Sequence, residues 1–92
     1  MIGSIRHKAL RAWWHRGRAK GLDAGWIPKL RRIMSALEAA ERLEHMNYPG
    51  SDFHPLHGKR AGRYAVDLTG NWRVTFGWDD DGAMNVDIED YH

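Results

Sequence analysis

Cysteine is absent from the 92 residues, so the fold can contain neither disulfide bonds nor thiolate metal ligands. That absence makes a reducing, intracellular setting the default expectation. No apolar run approaches the ~20 residues that a membrane-spanning helix needs, and residues 1–4 lack the apolar segment of a signal peptide. We therefore expect a cytoplasmic protein without membrane contact.

Acidic residues are scarce in the first two thirds of the chain. Residues 1–63 hold thirteen Lys/Arg and five Asp/Glu, whereas residues 64–92 hold one Arg and seven acids. The two parts therefore carry formal charges of +8 and −6, which sum to the net charge of +2. A basic half with interleaved aromatic residues fits binding to a polyanion such as RNA. The plainer alternative is that the halves neutralise each other, and charge alone favours neither.

The chain has room for a single small domain, residues 1–92. Its 42% apolar content, with five Trp, supports a modest core. Helical periodicity predicts two helices in the first half, one capped by Ser4 and ended by Gly17, the other starting near Pro28 and ending before the break at residues 47–50. Their expected core positions are Ile5, Ala9, Ala12 and Trp13, then Trp26, Leu30, Ile33, Leu37 and Ala40.

After residue 50 the apolar period changes to two, which predicts strands. The alternating positions are Tyr64, Val66 and Leu68, then Trp72, Val74, Phe76 and Trp78, then Met84, Val86 and Ile88. Turns at residues 69–71 and 79–82 join them into an antiparallel meander. Helices followed by strands predict an α+β domain whose helix pair covers one sheet face and leaves the other for a different purpose.

Three polar clusters are candidates for chemistry. The C-terminal Asp90, Tyr91 and His92 combine a carboxylate, a phenol and an imidazole, although a frayed end is the common fate of such a triplet. His54 and His57 can exchange protons near neutral pH. Their spacing is a weak metal motif that needs Asp90 or His92 as a further ligand, and a solvated loop is the ordinary alternative.

Arg73 is the only Lys or Arg in the acidic part of the chain. On the polar side of a strand it can form a surface ion pair with Asp87 or Glu89 across the hairpin. Its planar guanidinium also matches phosphate oxygens in pairs. Spacing alone favours the ion pair.

Several segments together resemble the HigB-type killer toxins of the RelE superfamily, which belong to bacterial type II toxin–antitoxin systems. They are residues 4–10, 30–33, 48–50, 54–56, 70–76 and 90–92. The resemblance covers essentially the whole chain and implies a RelE-like α+β single domain, with two N-terminal helices packed on one face of a mainly antiparallel twisted sheet.

The resemblance also implies an activity and partners. Such toxins are ribosome-dependent endoribonucleases that enter the vacant A site and cut the mRNA codon there, without a metal or other cofactor. A HigA-like helix-turn-helix antitoxin neutralises the toxin, and the pair represses its own operon. The implied partners are therefore that antitoxin, the 70S ribosome and mRNA, with operator DNA contacted only through the antitoxin.

Site residues follow from the same resemblance. The catalytic set corresponds to His54, Asp90, Tyr91 and His92, with Arg73 as the ligand of the transition-state phosphate. Members often carry Lys where this chain has His57. The cations expected to bind RNA or the ribosome are Lys8, Arg11, His15, Arg31, Arg32, His57, Lys59 and Arg60.

The residue types suit metal-free RNA cleavage, which needs a base for the 2′-hydroxyl, an acid for the leaving 5′-oxygen and a cation for the phosphoryl charge. His54 and His92 can serve as base and acid in either order. Two other classes remain: a catalytically weak RNA- or ribosome-binding module, and a partner that mainly modulates antitoxin binding to operator DNA.

Overall fold

Two helices precede four strands in the computed structural model, which describes residues 1–90. The elements are α1 (Lys8–Arg16), α2 (Ile27–Ala39), β1 (His54–Pro55), β2 (Arg63–Thr69), β3 (Trp72–Asp79) and β4 (Gly82–Asp90), with short 3-10 turns at Ala24–Trp26, Leu43–Met46 and Gly58–Arg60. The strands form one antiparallel sheet in the order β1-β2-β3-β4. The predicted α+β meander is confirmed.

The chain before α1 is extended and extends the sheet beside β4. Residues 2 and 5 form parallel bridges to residues 83 and 86, and Ser4 Oγ accepts a hydrogen bond from the backbone N of Asn85 at 2.8 Å. The predicted Ser4 cap is therefore wrong, because β4 uses that hydroxyl. His7 caps α1 instead, its Nδ1 accepting from Leu10 N at 3.1 Å.

The apolar side of α2 packs over one face of the sheet, as its spacing predicted. Leu30, Ile33 and Leu37 are fully buried, and Val74 and Phe76 of β3 lie in the same core cluster. We call this side of the sheet the helix-covered face. The aliphatic and aromatic side chains buried on this face make the main stabilising contribution to the fold.

Trp72 departs from the predicted core, and Trp26, Tyr64 and Trp78 are only partly buried against it. Trp72, at the start of β3, is 36% exposed. Its ring packs on Trp26, with 5.1 Å between ring centroids, and Trp26 itself lies in the turn before α2. The pair covers the end of the core rather than filling it, because strand alternation gives the face of a residue but not its distance from the sheet edge.

Register defines the opposite, polar face of the sheet, since cross-strand partners in antiparallel strands project to the same side. One row joins His54 to Ala65, Thr75 and Asp87, and the next joins Asp67 to Arg73 and Glu89.

A register shift between β3 and β4 lies beside Asn85, which adopts a φ of 51°. The shift places Met84 opposite Gly77 on the polar face, so the predicted alternation of β4 fails at Met84. The rest of β4 keeps its predicted parity, with Val86 and Ile88 buried.

Candidate active site

Arg73 is held in place on the polar face by three acceptors. Its Nη1 donates to Asp67 Oδ1 at 2.8 Å and to the backbone oxygens of Gly70 and Trp72 at 3.2 and 3.3 Å. The side chain is only 15% exposed. A guanidinium fixed in this way has a defined direction, which is what a preorganised phosphate ligand requires.

The carboxylate partner of Arg73 differs from the predicted ones. Asp67 on β2 pairs with Arg73, whereas Asp87 and Glu89 were expected to do so from β4. Lys29 at the start of α2 donates to the other oxygen of Asp67, Oδ2, at 3.0 Å. Because Asp67 is shared by two cations, this trio carries a net positive charge.

Glu89 organises a second network on the same face. Its Oε2 accepts hydrogen bonds from the Arg60 guanidinium and from the Thr75 hydroxyl. Partial burial opposes ionisation of Glu89, but the bonds from Thr75 and Arg60, together with the charges of Arg60 and Arg63, hold its pKa below the usual value. Glu89 is therefore a carboxylate at neutral pH.

Arg63 joins this network from the first position of β2. Its Nη2 donates to Thr75 Oγ1 at 3.1 Å and to the backbone oxygen of Asn85 at 2.9 Å. Burial lowers its pKa, and the neighbouring positive charge of Arg6 lowers it further. Arg63 remains charged, because an arginine starts from a pKa far above neutrality.

His54 lies on the polar face at the edge strand β1. Its Nδ1 is 2.9 Å from the backbone oxygen of Asp52. A carbonyl oxygen only accepts, so Nδ1 carries the hydrogen of the neutral ring and Nε2 is the basic nitrogen. Asp52 presents that oxygen from a left-handed backbone conformation with a φ of 49°, one that Asp tolerates better than most residues.

The C-terminal candidates are only partly described. Asp90 pairs with Trp72 across β3 and β4, so it lies at the exposed end of the helix-covered side, on the opposite face from His54 and Arg73. Tyr91 and His92 lie outside the described residues. The structure thus brings His54 and Arg73 onto one face and does not bring Asp90 there.

The predicted RNA-binding cations lie at the turn of residues 58–60, on α1 and on α2. The turn at Gly58–Arg60 carries Lys59 and Arg60, with His57 as its N-cap, and Arg60 reaches Glu89 on the polar face. On α1, Lys8, Arg11 and His15 line a groove of about 340 Å³ together with Ala12 and Arg16.

The two adjacent arginines of α2 are separated. Arg31 lies over the Trp13 ring of α1, 5.6 Å from its centroid. Arg32 instead lies over Tyr48, 5.2 Å from that centroid, in a groove of about 370 Å³ that also involves His45. Burial raises the pKa of Tyr48, and Arg32 opposes the shift. Arg31 therefore lies beside α1, while Arg32 lies in the separate groove formed with Tyr48 and His45.

Among residues 1–90, no three His, Asp or Glu side chains gather closely enough to hold a metal ion. In the same residues, no helix has the length and apolar character to span a membrane.

Comparison with known proteins identifies the family. The family described as RelE-like toxin of type II toxin-antitoxin system HigB matches residues 3–92. This chain belongs to that family. A relative, Endoribonuclease HigB of Proteus vulgaris, is 30% identical to this toxin over 92 residues, which is 100% of both chains. Membership in a toxin–antitoxin family implies an antitoxin partner.

Sequence reasoning about this toxin missed part of the polar face. Arg63, Thr75 and Glu89 form one connected network with Arg60, yet none of the three was a candidate site residue. Their strand parity was visible in the sequence, since each alternates with buried apolar neighbours. Only the register shows that these positions meet.

Proposed function

We propose that this toxin is a ribosome-dependent endoribonuclease that cuts mRNA in the A site by metal-free acid–base catalysis, and so inhibits translation and growth. It acts in the cytoplasm, where the ribosomes are. The observation that carries the proposal is the arrangement of the polar face, where a preoriented Arg73 and a histidine share one surface. The name of the Proteus vulgaris relative supports the reaction class.

Each group has a role in the proposed reaction. A base removes the proton of the 2′-hydroxyl, whose oxygen attacks the adjacent phosphorus, and an acid protonates the leaving 5′-oxygen. His54 and His92 take these two roles. Arg73 stabilises the charge that develops on the phosphoryl oxygens.

The remaining members of the set bind or orient. Asp90, at the end of β4 and on the opposite face from His54 and Arg73, is proposed to orient an imidazole or hold a nucleotide, and Tyr91 to stack on a base or donate a proton. A general acid or base contributes typically ~10²–10⁴-fold to the rate, so removing either imidazole is expected to abolish detectable cleavage.

The basic surface of α1 is proposed to dock ribosomal RNA. Lys8, Arg11 and His15 are exposed along one groove, and the residues before Asp23 include six Lys/Arg and no acid. Such a surface attracts a polyanion through counterion release, independently of its sequence. Arg31 adjoins this surface, and His57, Lys59 and Arg60 supply positive charge beside the polar face.

The proposed partners include a HigA-like helix-turn-helix antitoxin, with operator DNA contacted only through it. The family match supports the antitoxin partner. Co-expression of the toxin with the product of a neighbouring helix-turn-helix gene is expected to restore growth.

The test of the proposed reaction is His92→Ala. Ends of a reporter mRNA are mapped by primer extension on translating ribosomes with wild type, His92→Ala and the control His45→Ala. His45 lies in the turn after α2, where its Nδ1 accepts from Glu41 N. We expect new mRNA ends with wild type and His45→Ala, and none with His92→Ala. Wild-type cleavage by His92→Ala would rule out the role of that imidazole.

A second measurement separates catalysis from binding. Ribosome co-sedimentation of His92→Ala is expected to match wild type, whereas a combined Lys8, Arg11 and His15 neutralisation weakens it in a salt-dependent way. If wild-type toxin co-sediments but leaves mRNA intact, the protein is a ribosome-binding module and the proposed enzyme activity is wrong.

A further inference from the structure

One carboxylate on the polar face is surrounded by an excess of guanidinium groups. Glu89 contacts Arg60 directly and, through the Thr75 hydroxyl, Arg63. Glu89 stands directly opposite Arg73 on β3, but the carboxylate that holds Arg73 is Asp67. The network around Glu89 is therefore distinct from the one that holds Arg73.

A third guanidinium approaches from the segment before α1. The backbone N of Arg6 donates to the oxygen of Val86 at 2.7 Å, which ties that segment to β4. Ile5 is buried in the core, so in this extended segment Arg6 projects to the opposite, polar side. Its exposed side chain is close enough to act electrostatically on Arg63.

The charges of this cluster do not balance. Arg6, Arg60 and Arg63 carry three positive charges against the two carboxylates of Glu89 and Asp87. Burial lowers the pKa of Arg63, and the charges of Arg6 and Arg60 lower it further. In residues 1–90, the buried Nε of Arg63 has no hydrogen-bond partner. A buried donor without an acceptor and a surplus of positive charge both favour binding of an additional anion.

We propose that Arg6, Arg60 and Arg63 form a second phosphate-binding site for the RNA strand, and that Glu89 occupies the position of the phosphate until RNA displaces it. The proposal rests on the proposed function, because it takes RNA as the ligand.

Strand geometry sets the extent of this site along the sheet. Glu89 stands directly opposite Arg73, whereas Arg63 pairs with Gly77, four residues along β3 from Arg73, or roughly 13 Å at the rise of a strand. The second site therefore begins beside Arg73 and takes the neighbouring phosphate of the same RNA strand. Its function is to fix the path of the RNA across the polar face.

Removing the Glu89 carboxylate tests the displacement directly. If Glu89 competes with RNA for the arginines, its removal tightens RNA binding. If Glu89 only positions the arginines, its removal weakens RNA binding. The probe is a fluorescein-labelled 2′-O-methyl RNA 12-mer, which lacks the 2′-hydroxyl and cannot be cleaved. Its binding to the full-length toxin is followed by fluorescence anisotropy. Glu89→Gln is expected to tighten binding, with a salt slope steeper by up to ~0.7, the value for one more neutralised phosphate on a single strand.

Asp87→Asn is the matched control. It removes one negative charge from the same face, but Asp87 Oδ1 accepts from the backbone N of Ile88, whereas Glu89 accepts from Arg60. Tightening by Glu89→Gln well beyond that by Asp87→Asn supports displacement. Equal tightening by both variants, or weaker binding by Glu89→Gln, would overturn it.

The arginines of the second site are tested by how far their replacement lowers the salt slope of RNA binding. Arg6→Gln, at an exposed position, is expected to lower the salt slope by ~0.7, whereas Arg63→Lys keeps the charge and most of the slope. The control Arg42→Gln changes an arginine that pairs with Glu44 outside the polar face. An unchanged slope in Arg6→Gln would remove Arg6 from the site.

The failures of the two proposals differ. If wild-type toxin cleaves mRNA on ribosomes while none of these variants changes binding of the RNA 12-mer, the second phosphate site is wrong and the nuclease proposal stands. If the binding changes are as expected but no mRNA ends arise, the site exists on a protein that does not cleave.

Discussion

The two faces of the sheet differ in what they bury: one buries the apolar core, and the other buries a network of polar and charged groups. Phe76 and Thr75 are consecutive residues of β3, and both are almost fully buried. Phe76 points into the apolar core beneath α2, whereas Thr75 points into the network of Arg63 and Glu89. The comparison teaches that burial has two meanings in one strand: on one side it excludes water, and on the other it fixes the direction of charges.

The largest expected effect follows from breaking the helix-covered face. Phe76→Ala removes a fully buried ring that packs near Phe53 and Tyr64. We expect a loss of about 3–5 kcal/mol in the free energy of unfolding, from lost burial and the remaining cavity. Urea unfolding followed by tryptophan fluorescence measures it. A loss below ~1 kcal/mol would show that the core does not depend on this ring.

The adjacent residue on the polar face is expected to matter less for stability. Thr75→Val keeps the shape of the side chain but leaves Glu89 and Arg63 without the hydroxyl that links them. The expected loss is about 1–3 kcal/mol, the cost of unsatisfied partly buried polar groups. The same urea titration checks it, and a loss equal to that of Phe76→Ala would abolish the distinction between the faces.

The pH dependence sharpens the comparison further. Because the pKa of Glu89 is lowered in the folded state, its stabilising contribution is complete above the unfolded value of about 4.3 and disappears as pH falls through the lower folded value. The difference in unfolding free energy between wild type and Glu89→Gln is therefore expected to shrink between pH 7 and pH 3. A difference that stays constant over that range would contradict the ionised network.

The smallest effect is expected at a surface ion pair outside both faces. Arg42 and Glu44 lie 3.6 Å apart with side chains 71% and 73% exposed. Arg42→Gln should change the free energy of unfolding by ~0–0.5 kcal/mol, since solvent and salt screen such pairs. Thermal unfolding at low and high salt would detect a larger contribution.

The order of the elements could be predicted from local pattern, because each depends on residues close in sequence. Leu30, Ile33 and Leu37 repeat at helical spacing, and the alternation from Tyr64 to Phe76 marks two strands. Ser4 illustrates the limit of local pattern. Its hydroxyl is consumed by Asn85, a partner 81 positions away that no window around Ser4 contains.

The candidate site was predictable in its residue types but not in its pairings. Arg73 was identified as a phosphate ligand or an ion-pair member, yet its partner Asp67 depends on the register between β2 and β3. Glu89 was noted only as a partner for Arg73. The contacts of Glu89 with Thr75 and Arg60 need both the hairpin register and the position of the turn at residues 58–60. The roles of Tyr91 and His92 stay predictions.

The position of β4 has a consequence for how the toxin is made. This strand lies between β3 and the segment before α1, so translation delivers residues 82–90 after everything that pairs with them. Ile2 and Ile5 can pair with β4 only after that strand has been made, so this contact joins residues of very high sequence separation. Glu89 arrives with that strand, and so the polar face is incomplete on every unfinished chain. Assembly of the polar face therefore follows the synthesis of β4.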